Sequence, residues 1–209
     1  NRVLDALAAA AQDNQISAAI LVGDSAKIKQ LIPASLSVIA QIVDAEDAQT
    51  CAAKAVAAVR DRRADVLVKG SVNSAAYLRA VVNRETGLRQ SSVLSNLTLA
   101  EMPSLDKIIA ATDNGIILNP TLEQKRGILR NTQALFLGLG ITHPRVAAIA
   151  ASEKISDRQP ATTDAAALAE ESRNGDFGAM CIEGPFGYDV AISHAAAVAK
   201  IPLMGVCLG

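Results

Sequence analysis

Residues 64–89 read "ADVLVKGSVNSAAYLRAVVNRETGLR", which puts Lys69, Arg79, Arg84 and Arg89 beside small residues, a combination suited to holding an anion. Val66, Leu67 and Val68 have the pattern of a short buried strand. Lys69, Gly70 and Ser71 then lead into a helix whose cap is Ser71, Asn73 or Ser74. The free backbone N–H groups of a helix start and its positive dipole end attract anions. Side chains on a helix lean back toward its N-terminus, so Arg79, about one and a half turns in, reaches that corner. An arginine there works against the dipole unless an anion compensates it, and its planar fork matches phosphate oxygens. Taken alone, the same residues also read as a solvated helix face after an ordinary strand end.

Other polar groups stand where apolar runs end. Ser95 and Asn96 interrupt "LSNLTLAEMP"; Thr112, Asp113 and Asn119 belong to "ATDNGIILNP". Ser152, Glu153 and Lys154 follow another run, and Glu183 and Gly184 open "EGPFGYDVAIS". Each reads by itself as turn or cap chemistry. Four such exits on one side of one sheet system would form a cleft. Cys51 among alanines and Cys181 in a strand pattern fit core packing better than nucleophilic work, and His143 and His194 fit structural roles. No Cys/His spacing suggests a zinc site.

The elements that must position these groups alternate. Periodicity predicts a helix over 3–11, strands over 18–22 and 38–43, and a helix after "DAEDAQTC", whose acidic start and basic end complement its dipole. The middle reads differently, with strand-like runs at 93–99, 107–111 and 116–118 and no helix between them, as in a hairpin-containing arm. A long helix after Asn119-Pro120 follows. Strand 145–151, helix 163–173, strand 179–182 and helix 189–200 restore the alternation. This is an α/β pattern, with ligands expected beyond the carboxyl ends of the strands. The interruption divides the chain into two lobes, 1–91 and 92–209.

The chain has 209 residues, a net charge of −1 and only 2% aromatics. That balance excludes nucleic acid and anionic membrane surfaces as main partners, and no apolar run reaches membrane-spanning length. Three cysteines, an odd number, fit reduced thiols in a cytoplasmic protein.

Together these stretches resemble the phosphate acetyl/butyryltransferase family, most closely its phosphate butyryltransferase branch. Residues 64–89, "LSN…EMP", "TDNGIILNPTLEQK", "SEKISDRQPATTDAAAL" and "EGPFGYDVAIS" follow in family order and at family-like spacing. The resemblance implies mostly parallel sheets flanked by helices in two lobes like those of isocitrate and isopropylmalate dehydrogenases, and a homodimer or larger homo-oligomer. It implies reversible acyl transfer between coenzyme A and inorganic phosphate, with acyl-CoA, phosphate and acyl phosphate as partners. Coenzyme A would be a substrate, with no permanently bound cofactor and no metal. Arg79 matches a family arginine for the phosphate group, and Lys69, Gly70, Ser71 and Asn73 match the adjoining loop. Ser95, Asn96, Thr112, Asp113, Glu183 and Gly184 complete the implied substrate-binding set.

The sequence departs from the family pattern in places. Ser95-Asn96 stands for Ser-His, Glu183-Gly184-Pro185 for Asp-Gly-Pro, and "KIPLMGVCLG" for a Pro-Val-Ala-Gly-type continuation. A first strand is expected to be missing, and the family's general base is expected beyond Gly209. Two other readings stay open. A non-catalytic module would bind acyl-CoA or phosphate without turnover. A metal-dependent decarboxylating dehydrogenase of related fold would need a cluster of aspartates that the sequence does not supply.

Overall fold

Alternating helices and strands run through the described residues, 2–200, of the computed structural model. The chain separates into two compact units, through Gln90 and from Ser91.

In the first unit, Leu4 and Ala8, one turn apart, form the buried stripe of α1 (Arg2–Gln12). Strand β1 (Ala19–Gly23) pairs in parallel with β2 (Ala40–Asp44), with Leu21 opposite Ile42. The crossover between them contains α2 (Ser25–Leu31) and α3 (Ala34–Ser37). Leu4, Ala8, Leu21 and Leu36 make one core cluster, with Ile28 and Ile32 packed against it. Helix α4 (Ala48–Arg60) packs against β1, burying Ala52, Val56 and Ala58. It ends in a tight reversal, where Arg62 takes a positive φ of 56° and the Arg63 and Ala64 amides donate to the Ala58 carbonyl. Helix α5 (Ser74–Val81) packs on α4.

The second unit opens with an antiparallel hairpin, β3 (Thr98–Glu101) against β4 (Ile108–Ala111); β3 is exposed throughout, while Ile109 and Ala110 of β4 are half-buried. Helix α6 (Leu122–Gly138) starts in a capping box formed by Thr121 and Gln124. Strands β5 (Arg145–Ile149) and β6 (Cys181–Phe186) are parallel, joined by α7 (Pro160–Arg173). Helices α8 (Tyr188–Ile192) and α9 (His194–Lys200) follow, broken at Ser193 where one helix was expected. The core comprises Leu129, Leu168, Phe177, Met180 and Ile182. Ser172 stitches α7 to β6: its hydroxyl donates to the Met180 carbonyl (2.8 Å) and accepts from the Ile182 amide (2.9 Å).

The mixed α/β architecture with parallel pairs matches the sequence pattern, and three expectations change. Among the described residues the strands form three two-stranded sheets, not one sheet system, so the polar exits do not share one sheet edge. Residues 66–68 pair with no strand among the described residues; Val66 is 74% exposed and Val68 is exposed too, while Leu67 is half-buried. Of the expected strand 93–99 only Thr98 and Leu99 lie in β3, and 116–118 forms no strand, because side chains capture the backbone groups there. Asn131 Nδ2 donates to the Val93 carbonyl (2.9 Å), and the Asp113 carboxylate accepts from the Ile116 and Ile117 amides (3.3 and 2.8 Å). Residues 201–209, including Cys207 and most of the departing "KIPLMGVCLG" stretch, lie outside the described residues.

Candidate functional site

The starts of α4 and α5 open onto one hollow of about 610 Å³, lined by Asp47, Ala48, Gln49, Asn73, Ala75, Ala76 and Arg79. Asn73 is the cap that the sequence left open among three candidates: its Oδ1 accepts from the Ala76 amide at 2.8 Å. Its Nδ2 is thereby directed to donate elsewhere. Arg79 stands one turn beyond Ala75 and Ala76 and reaches back into the same space, as helix geometry requires. Among the described residues Arg79 makes no ion pair.

The two helix starts differ in charge. Asp47 caps α4 with a carboxylate that accepts from the Gln49 amide (2.7 Å), the Thr50 amide (3.0 Å) and the Thr50 hydroxyl (2.7 Å). These donors, the Thr50 amide foremost, hold the Asp47 carboxyl below its ordinary range. The α4 dipole is therefore answered by its own side chain. Helix α5 has only a neutral amide at its cap, which leaves its positive end and the Arg79 guanidinium for an incoming anion. Asp47, Ala48 and Gln49 were not foreseen as neighbours of Arg79. The available signal was that α4 and α5 each follow a strand-like run, which brings their N-termini to the same end of the unit.

Lys69, Gly70 and Ser71 are exposed and stand outside the lining of the hollow. Among the described residues the Lys69 ammonium hydrogen-bonds only to the neighbouring Gly70 carbonyl, at 3.5 Å.

In the second unit the structure brings together Ser95, Asn96, Thr112 and Asp113. Thr112 Oγ1 donates to the Asn96 carbonyl (2.5 Å), Asp113 Oδ1 accepts from the Asn96 amide (3.1 Å), and Asn131 Nδ2 donates to Ser95 Oγ (2.9 Å). Burial pushes the Asp113 carboxyl up, but the amides of Ile117, Asn96, Ile116 and Gly115 outweigh it and hold the group below its ordinary value. Asp113 therefore works first as the keystone of its own loop.

Glu183 and Gly184 lie in β6. A Cβ on Gly184 would stand 2.6 Å from the Ala148 carbonyl oxygen, so the close approach of β5 and β6 depends on glycine there. Glu153 accepts from the Gly187 amide (3.2 Å), while Lys200 pairs with Asp189 at 2.8 Å and lies 3.8 Å from Glu153. The Cys51 thiol is pushed up by burial first, which suits packing rather than attack. Among the described residues no three His, Cys, Asp or Glu side chains are placed to hold a metal ion, and no helix is long and apolar enough to cross a membrane.

Residues 45–206 match a family model described as "Phosphate acetyl/butaryl transferase". The chain is 37% identical over 181 residues to a probable phosphate butyryltransferase of Bacillus subtilis (strain 168), covering 87% of this chain and 60% of that protein. It is 36% identical over 189 residues to a phosphate butyryltransferase of Clostridium acetobutylicum, covering 90% and 63%. This chain thus spans less than two thirds of the length of either relative. A crystal structure of a branched-chain phosphotransacylase from Enterococcus faecalis V583 superposes with a TM-score of 0.74 over 90% of this chain and 75% of that one. At 20% identity the likeness is one of fold.

Proposed function

The chain belongs to the phosphate acetyl/butyryltransferase family, and on that premise we propose that the whole protein reversibly transfers a short acyl group between coenzyme A and inorganic phosphate. The observation that carries the proposal is the hollow at the start of α5, where Arg79, the Asn73 amide group and a helix end with a neutral cap converge beside the Asp47 carboxylate.

In the direction of thioester formation, a coenzyme A thiolate attacks the carbonyl carbon of an acyl phosphate. The C–O bond to phosphate breaks, and inorganic phosphate leaves with the bonding electron pair. A guanidinium and helix-start amides already aimed at that phosphate meet its growing charge without reorganising. A thiol of pKa near about 8.5 needs only modest help to lose its proton. Coenzyme A enters as a substrate, and the scheme uses no resident cofactor. Lys69, Gly70 and Ser71 are assigned to the same anion corner. Ser95, Asn96, Thr112, Asp113, Glu183 and Gly184 are assigned to substrate binding through the family resemblance, with Asp113 acting by holding backbone in place.

The two compact units, through Gln90 and from Ser91, support lobes of 1–91 and 92–209, and the proposal includes the dehydrogenase-like two-lobed plan that the family resemblance implies. The proposal includes a homodimer in the cytoplasm, in keeping with free thiols at Cys51 and Cys181; light scattering on the whole protein tests the dimer. Arg79→Ala is expected to raise the phosphate concentration needed for half-maximal acyl-phosphate formation at least tenfold. It should also lower turnover by about 10²–10³, the usual cost of losing a charge-stabilising donor. Arg79→Lys should recover only part, because it restores charge without the fork. Unchanged phosphate dependence in Arg79→Ala would reject this role.

A further inference from the structure

Residues 91–96 carry the chain from the first residue of the second unit to the Ser95-Asn96 pair, and among the described residues they pair with no strand. Side chains take the place of a ladder. Asp113 Oδ1 accepts from the Asn96 amide (3.1 Å), and Thr112 Oγ1 donates to the Asn96 carbonyl (2.5 Å). Helix α6 supplies the other contacts. Gly127 leaves room for Val93, and Asn131, one turn further along the same helix face, meets the segment with both ends of its amide group. Its Nδ2 donates to the Val93 carbonyl and to Ser95 Oγ, each at 2.9 Å, and its Oδ1 accepts from the Ser91 hydroxyl at 3.2 Å.

These partners fix which way the amide faces. A carbonyl only accepts, so the nitrogen and not the oxygen must stand against Val93. The same nitrogen gives its second hydrogen to Ser95 Oγ. A serine hydroxyl has one hydrogen of its own, and with its oxygen engaged as an acceptor that hydrogen is directed away from Asn131. Among the described residues no acceptor receives it. The backbone does not depend on Asn131 alone, because the Ser91 hydroxyl also reaches the Val93 carbonyl, at 2.6 Å. What Asn131 adds is a set direction for one O–H bond on a half-buried side chain.

We propose that Asn131 is a positioning residue for acyl transfer, holding the Ser95 hydroxyl so that its hydrogen is presented to an acceptor oxygen of the acyl substrate. The proposal rests on the transferase reading above, in which Ser95 binds substrate. Two kinds of acceptor are on offer, the carbonyl oxygen of the acyl group and the phosphoryl oxygens of acyl phosphate. Negative charge grows on the first as the carbonyl carbon is attacked and on the second as phosphate departs. A donor whose direction is set beforehand meets that charge without first rotating, whereas a loose hydroxyl must give up rotamers to do so. The direction of the bond is also testable by chemistry. Asn131→Asp keeps the shape and reverses the bond, because a carboxylate only accepts and draws the Ser95 hydrogen to itself.

The test is a double-mutant cycle in the whole protein, read as kcat and as KM for acyl-CoA and for phosphate in acyl-phosphate formation. Asn131→Ala and Ser95→Ala are each expected to lower kcat about tenfold, and the double variant to fall no lower than Ser95→Ala. Asn131→Asp should be slower than Asn131→Ala, since it captures a hydrogen that Asn131→Ala merely releases. A fall confined to kcat identifies the carbonyl oxygen as the acceptor; a phosphate KM raised alongside it identifies a phosphoryl oxygen. Circular dichroism checks the folding of each variant, and Asn131→Asp completes the same cycle if Asn131→Ala does not fold. Losses that multiply in the double variant, or an unchanged kcat in Asn131→Ala, would overturn the positioning role and leave the transferase reading standing. No acyl phosphate from the unmodified protein would overturn both together.

Discussion

Asp113 carries a charge that its loop needs. Asp113→Asn keeps the shape but weakens bonds from the Asn96, Ile116 and Ile117 amides, at an expected cost of about 1–2 kcal/mol near neutral pH. Because folding lowers the pKa of this carboxyl from an ordinary value of 3.8, its contribution is complete above that value. It is lost as pH falls through the lower folded value. Denaturant midpoints of the two proteins should therefore differ at pH 7 and converge in strong acid; a gap that persists unchanged there would mean the charge is not the cause. The residue scale was partly legible in the sequence. Arg79 and Asn73 could be placed on one corner because helix geometry ties them together. Asp47 could not, because its relation to Arg79 depends on where two separate helices begin in space.

At the scale of elements, α6 contains a glycine whose use the pattern does not reveal. A Cβ on Gly127 would lie 2.6 Å from Val93 Cγ2 and 3.0 Å from its Cβ. Gly127→Ala gains about 1 kcal/mol in helix propensity, but overpacking typically costs about 1–3 kcal/mol. The net effect is expected to be destabilising. Adding Val93→Ala should reverse part of it, since the two positions share one space. Denaturant unfolding of the single and double variants measures this, and additive effects would refute the contact. Helices were the more legible elements, since Leu4 and Ala8 or Leu129 and Thr132 repeat with the helical period. Strands were less so. Alternation says that a run can pair but not whether a partner is present, as at 66–68, or whether side chains intercept the backbone first, as at 93–96.

For the molecule as a whole, the α/β character was legible, whereas the separation into three small sheets was not, because strand order is written in long-range contacts. The hollow is lined entirely by residues of the first unit, so phosphate should stabilise that unit in particular. At a hundredfold excess over Kd the gain is about 2.7 kcal/mol. Hydrogen exchange should show it over residues 1–90 and not in the β5–β6 core, and Arg79→Ala should abolish it. Equal protection of both units in Arg79→Ala would place the anion elsewhere. The chain also returns beside α4, from the reversal at its end to the hollow shared by the two helix starts, and that path sets a rule of proportion. A helix advances about 1.5 Å per residue and extended chain about 3.3 Å, so one extra turn in α4 calls for about two more residues in 64–72. Insertions and deletions at these two places should be tolerated as a matched pair and rejected singly, because a lone change slides Lys69 out of step with Asp47.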